Sequence, residues 1–258
     1  LVVVALVFAG TLSHAKEDEA ASIEFRTVAL IRAEIQRCID APVHESLATP
    51  IQSVVTSRVL SANEKVAAVN RMIINHRAKD FSVEVRRIIR NAQSNVFVAS
   101  DNQFNGGAHW MPKHRAAEVA VIMPEFAQKT TLPEFVIAHE LGHVRLYALA
   151  HEKDPAILEY LRSDQSPTVE YLEEVLAIHS EWELLHAVPD QIKRETLAEL
   201  SSHPSFESIT GFDHVKSKLQ DSRLGFDTFL PIAQRLRGYE LSPGVCWQVW
   251  MKFPRSGP

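Results

Sequence analysis

The sequence predicts a helix-rich α+β fold with a short antiparallel sheet and one functional helix. Three observations carry this. Apolar residues recur at helical spacing over most of the first 80 positions, two short runs alternate like strands, and an apolar stretch after them carries His139-Glu140-Leu141-Gly142-His143. With 258 residues, 46% of them hydrophobic, the chain is long enough for one sizeable core or a core with a small helical lobe. A net charge of −5, without a basic run interleaved with aromatics, argues against a nucleic-acid partner.

Taken in order, residues 1–15 read as a leader. Leu1 to Gly10 are nearly all apolar, and Ser13-His14-Ala15 places small residues at the −3 and −1 positions of a cleavage site. The charged start Lys16-Glu17-Asp18-Glu19 fits export to the periplasm or the medium. The apolar run is too short to span a bilayer comfortably, so no stable membrane insertion of the mature chain is expected. Residues 16–90 form an N-terminal helical region, with helices expected over 22–40, 44–60 and 62–78. The last opens on the capping box Ser61-Ala62-Asn63-Glu64. Residues 91–190 form the core. Its strands are Val96-Phe97-Val98-Ala99 and Val119-Ala120-Val121-Ile122-Met123, joined by a loop containing Asn105-Gly106-Gly107. His109 and Trp110 on that loop are candidates to line a cleft. A helical region is expected over 191–258. Cys38 and Cys246 are the only cysteines, and an exported chain can join them in one disulfide or bury two free thiols.

The helix after the second strand opens on Thr131-Leu132-Pro133-Glu134, read as a capping box with proline in the first turn. Ile137, Leu141, Val144 and Ala148 form its buried stripe. His139 and His143 are four apart and share a face, so both imidazoles reach one ion. Glu140 lies to the side, where it can hydrogen-bond a water on that ion. Two imidazoles with such a carboxylate suit Zn2+ and hydrolysis.

On these residues the segment resembles the active-site helix of the zincin metallopeptidases. The resemblance implies a zincin-like core, zinc bound by His139 and His143, and Glu140 as the general base. A catalytic zinc takes a third protein ligand. His151, eight residues past His143, lies about 12 Å along a straight helix and is too distant. The resemblance to gluzincin-type enzymes points to a glutamate on the next helix, which offers Glu170, Glu173, Glu174, Glu181 and Glu183. Glu174-Val175-Leu176-Ala177, with Leu184-Leu185 and Pro189, is similar to the Glu-x-x-Ala step of abbreviated zincin cores. That favours Glu174 as the ligand and leaves Glu181 as runner-up. Ala177 would let this helix approach the zinc helix. Ile178 stands where such families place an aspartate or asparagine to orient a histidine ligand. His179, His186, Tyr147, Arg145 and Tyr171 are candidates to stabilise an oxyanion.

The resemblance therefore implies an exported zinc metallopeptidase of gluzincin type acting on a peptide or protein substrate. The alternatives are a zinc hydrolase of a non-protein amide and a non-catalytic binding protein of zincin fold.

Overall fold

The computed structural model describes residues 2–41, 43–100, 105–163, 165–189, 191–192, 195–196 and 202, with side chains from Glu19 onward except at a few positions, Tyr171 among them. In chain order the elements are α1 (Val2–Asp40), α2 (Val43–Val55), α3 (Ala62–Ala78), α4 (Val83–Ser94), β1 (Val96–Ser100), β2 (Asn105–Met111), β3 (Ala116–Met123), α5 (Glu125–Gln128), α6 (Leu132–Lys153), α7 (Pro155–Leu161) and α8 (Pro167–Ala187). The helix-rich α+β class is what the sequence led us to expect. The leader expected over 1–15 falls on the backbone of α1. Most of the C-terminal helical region expected over 191–258, with Cys246, lies outside the described residues. Among the described residues no helix is long and apolar enough to cross a membrane.

Local chemistry explains most element boundaries. The capping box of α3 forms as expected: the Ser61 Oγ accepts from the Glu64 N–H (3.3 Å), and the Glu64 carboxylate accepts from the Ser61 N–H (2.8 Å). The sequence reading missed α4. Its Arg86, Arg87 and Arg90 make the segment polar overall, yet Val85, Ile88, Ile89 and Ala92 recur at helical spacing and are all buried. Ser82 caps it through Val85 N–H at 3.1 Å. The box expected at Thr131–Glu134 does not form. Thr131 is in the right-handed helical region and makes no cap bond, and its hydroxyl instead meets Thr196 Oγ1 at 2.8 Å. Glu134 turns to Asn70 Nδ2 (3.3 Å), which ties α6 to α3.

The sheet departs from expectation in two ways. It is mixed rather than antiparallel, in the order β1-β3-β2, with β1 parallel and β2 antiparallel to the central β3. The segment read as a loop around Asn105-Gly106-Gly107 is the start of β2. Its glycines punctuate the sequence like a turn, but here Gly106 serves a close approach to α6. On β3, Ala117, Val119, Val121 and Met123 are fully buried, and they alternate with the less buried Glu118, Ala120 and Ile122. The buried face packs on α4 and α6. On β1, Phe97 is 58% exposed.

α6 is the axis of the molecule. It contacts α3, α4, α5, α7, α8, β2 and β3, and its buried residues include Ile137, Leu141, Val144 and Ala148 of the expected stripe. A helix apolar around most of its girth belongs in a core. Its polar residues are consequently buried too, and each needs a partner.

Candidate metal centre

Two close approaches build the site. The first sets α8 on α6. A Cβ added at Gly142 would lie 2.7 Å from the Ala177 Cα and 2.9 Å from the Ser180 Oγ, so α8 packs directly on the glycine inside the histidine motif. The sequence reading credited Ala177 with this closeness, but the larger share belongs to Gly142. The second sets β2 on α6. A Cβ at Gly106 would collide with the Glu140 Oε1 and lie 2.9 Å from Val136 Cγ1. The Glu140 carboxylate therefore rests against the backbone of an edge strand.

These approaches bring His139, His143 and Glu174 together, with one ligand atom from each within 4.8 Å of the others. The two Nε2 atoms are 3.4 Å apart. Glu174 places Oε2 3.4 Å from His139 Nε2 and Oε1 3.6 Å from His143 Nε2. Tetrahedral zinc with bonds of about 2.0–2.1 Å needs its donors about 3.3 Å apart. The two Nε2 atoms stand at that spacing, Glu174 reaches each of them through a different oxygen, and the cluster could hold a metal ion. Glu181, the runner-up, is on the other side of the ring: its Oε2 lies 3.7 Å from His139 Nδ1 and does not join the three. His151 packs on Trp110 (ring centroids 5.0 Å apart), away from the cluster.

Glu173, one of the five glutamates offered as a third ligand, takes a different place. The His143 Nδ1–H donates to Glu173 Oε1 at 2.9 Å, and Glu173 Oε2 accepts from Gln165 Nε2, also at 2.9 Å. The Tyr147 hydroxyl faces the same carboxylate; burial first, and then Glu173, raise its pKa. The only sequence signal for Glu173 was its place beside Glu174, which on a helix means a side chain turned about 100° away.

Four carboxyl groups, those of Glu140, Glu173, Glu174 and Glu181, surround two imidazoles. Burial opposes a charge on His139, but Glu174 and Glu181 outweigh it and hold its pKa well above the ordinary value. At His143 burial is likewise outweighed, here by Glu173 and Glu174, and the pKa rises. Burial would raise Glu174, yet His139 and His143 draw it down to about 2. Glu181 is 1% exposed, and burial lifts it to about 7 against the pull of His139. An excess of buried acid over base is the electrostatic form of a cation site.

The oxyanion candidates fare less well. Arg145 points to the far side of α6, where it pairs with Glu34 (3.0 Å) and meets Cys38 Sγ (3.4 Å). His179 is buried beside Glu183, and burial pushes its pKa down to about 4. Tyr147 is engaged with Glu173. His186 is stacked on Trp182. The side chain of Tyr171 lies outside the described residues. Trp110 is buried and serves packing, not a cleft. His109 alternates with Gly106 and Trp110 along β2, so it is on the sheet face turned away from Glu140.

No protein-family model, no curated protein and no solved structure matches the chain.

Proposed function

We propose that the protein is a zinc-dependent metallopeptidase of gluzincin type. One observation carries the reading: His139, His143 and Glu174 each bring a donor to within 4.8 Å of the others, with Glu140 adjacent in sequence. Zinc, when bound, lowers the pKa of a coordinated water toward neutrality and polarises a carbonyl. Glu140 is the base in this reading. It accepts the proton of the attacking water and passes it to the leaving amine. Gly106 supports that role, because its bare backbone leaves room for the Glu140 carboxylate beside the strand.

The strand also suggests how a peptide would be held. Among the described residues β2 pairs only with β3, so there its outer edge offers unpaired backbone groups on the strand that Glu140 rests against. An extended peptide can add to such an edge through main-chain hydrogen bonds. The leader read over residues 1–15 supports export of this activity.

The test is elemental analysis of the purified protein followed by digestion of a peptide library with and without chelator. About one zinc per chain and chelator-sensitive cleavage are expected. Zinc without peptide cleavage would favour a non-protein amide or a binding role. No metal, and no uptake on adding zinc, would overturn the proposal.

A further inference from the structure

We infer that Glu173 and Glu181 are positioning residues. Glu173 holds the ring of His143 through its Nδ1–H, and Glu181 stands behind Nδ1 of His139, so that each Nε2 faces the ion. The consequence for metal affinity rests on the zinc reading above, whereas the ring geometry does not.

All three carboxylates come from one helix. Glu174 and Glu181 are seven residues apart, close to two full turns, and so share a face of α8. Glu173 precedes Glu174 and is turned about 100° from it. This lets α8 touch both nitrogens of both rings. Glu174 meets the two Nε2 atoms, Glu173 meets Nδ1 of His143, and Glu181 approaches Nδ1 of His139. The place where the resemblance expects an orienting aspartate or asparagine holds Ile178, which is buried and apolar. The orienting function has moved to positions 173 and 181.

Burial argues that these carboxylates have work to do. Glu173 is 5% and Glu181 1% exposed, and the buried arginines Arg77 and Arg145 pair elsewhere, with Glu183 and Glu34. A carboxylate buried without a cation is costly, so its place has to be justified by what it faces. What both face is the Nδ1 of an imidazole. The two are not equivalent. Glu173 is locked by the His143 N–H and by Gln165, each at 2.9 Å. Neither Glu181 oxygen has a hydrogen-bond partner among the described residues, nor does His139 Nδ1, 3.7 Å away. A ligand histidine donating its other N–H to a carboxylate has a fixed tautomer and a more basic ligating nitrogen.

The experiment compares the full chain with Glu173→Gln and Glu181→Gln. Zinc affinity is read by competition with a chromophoric chelator, and the ring Nδ1 protons by 15N-histidine NMR on the metal-free proteins. Loss of metal affinity by about 10–100-fold in each variant is expected, with circular dichroism and melting of the metal-free forms retained. The parent should show a strongly downfield His143 Nδ1 proton, and Glu173→Gln should shift that signal upfield. Folded variants within about twofold of the parent's affinity, or an unchanged His143 signal, overturn the assignment. If a Gln variant does not fold, the Asp variant keeps the charge but withdraws it by one methylene. A shifted ring signal with intermediate affinity then supports the assignment, and parent-like values overturn it. Should the parent bind no zinc, the metallopeptidase proposal fails, the assignment of Glu181 fails with it, and the ring-proton readout alone decides for or against Glu173.

Discussion

The two sides of α6 both bury charge, and they do so in opposite ways. On the side facing Cys38 of α1, cations and anions close on one another. Arg145 pairs with Glu34 at 3.0 Å, Arg37 pairs with the same Glu34 at 2.8 Å, and Arg77 forks onto Glu183 with its Nε at 3.0 Å. Arg77 also donates to the Cys38 carbonyl at 3.0 Å, which ties α3 to α1 and α8. On the other side, four carboxyl groups face two imidazoles, and no arginine or lysine pairs with any of the four among the described residues. The first side is complete with the atoms of the chain. The second carries a surplus of acid and could hold a cation. Buried charge by itself is therefore no sign of a site; an uncompensated surplus of one sign, aimed at metal-binding nitrogens, is one.

The largest expected effect tests the completed side. Arg77 and Glu183 are 3% and 4% exposed. Removing one partner leaves the other charge buried and alone, at a cost of about 3–5 kcal/mol. Arg77→Met should therefore lower stability by about that amount in urea unfolding, while the folded fraction keeps its zinc affinity. If unfolding midpoints barely move, the network is not a structural clamp and the contrast between the two sides breaks.

Next comes His179, buried against the same network with its pKa pushed down to about 4. In the unfolded chain a histidine titrates near 6.5. The folded value is the lower of the two, so between them the unfolded state binds the extra proton. The stability tied to a neutral His179 is thus fully present above about pH 6.5 and lost as pH falls toward about 4, about 3 kcal/mol in all. Other groups titrate in that window, so the quantity to measure is the difference between the parent and His179→Gln. The parent should lose about 3 kcal/mol relative to the variant from pH 6.5 to 4. Parallel curves would show that His179 is not held neutral.

The unbalanced side is sharpened by Glu140→Gln. The amide keeps the shape beside Gly106 and gives up the base. Zinc content should remain near that of the parent while turnover falls at least about 10²-fold. Zinc lost together with activity would make Glu140 part of the ion's coordination, and the reading of its role would need to change.

Some of this was legible in the sequence and some was not, for physical reasons. His139, Glu140 and His143 were visible because helical spacing turns a sequence interval into a shared face. Glu174 was reached through its interval to Ala177. Glu173 and Glu181 were read only as candidate metal ligands, Glu181 as runner-up, because nothing in a one-dimensional pattern tells which side of an imidazole a carboxylate will meet. β2 was hidden by Asn105-Gly106-Gly107, a run that commonly marks a turn; a glycine used for close approach has the same spelling. The parallel pairing of β1 with β3 depends on which strand ends up in the middle, and strand order leaves no local mark. The box at Thr131–Glu134 failed because both side chains found tertiary partners, Thr196 and Asn70.

The smallest effect expected is also the most specific to the geometry. Gly142→Ala replaces a helix-interior glycine, a change worth up to about 1 kcal/mol in its favour by propensity. The new Cβ would press on the Ala177 Cα, 2.7 Å away, and that neighbour is backbone. Overpacking of this kind costs about 1–3 kcal/mol. The net loss of stability should be modest, below about 2 kcal/mol. Zinc binding should suffer more, because Glu174 is one turn before Ala177 on the same helix and recedes from His139 and His143 as α8 is pushed outward. Zinc competition should show a loss of several-fold or more alongside that small change in unfolding free energy. Ala177→Gly should not rescue it, since the clash is with the backbone and not with the alanine methyl. Rescue by Ala177→Gly, or an affinity unchanged in Gly142→Ala, would show that the closeness of the two helices does not set the position of the third ligand.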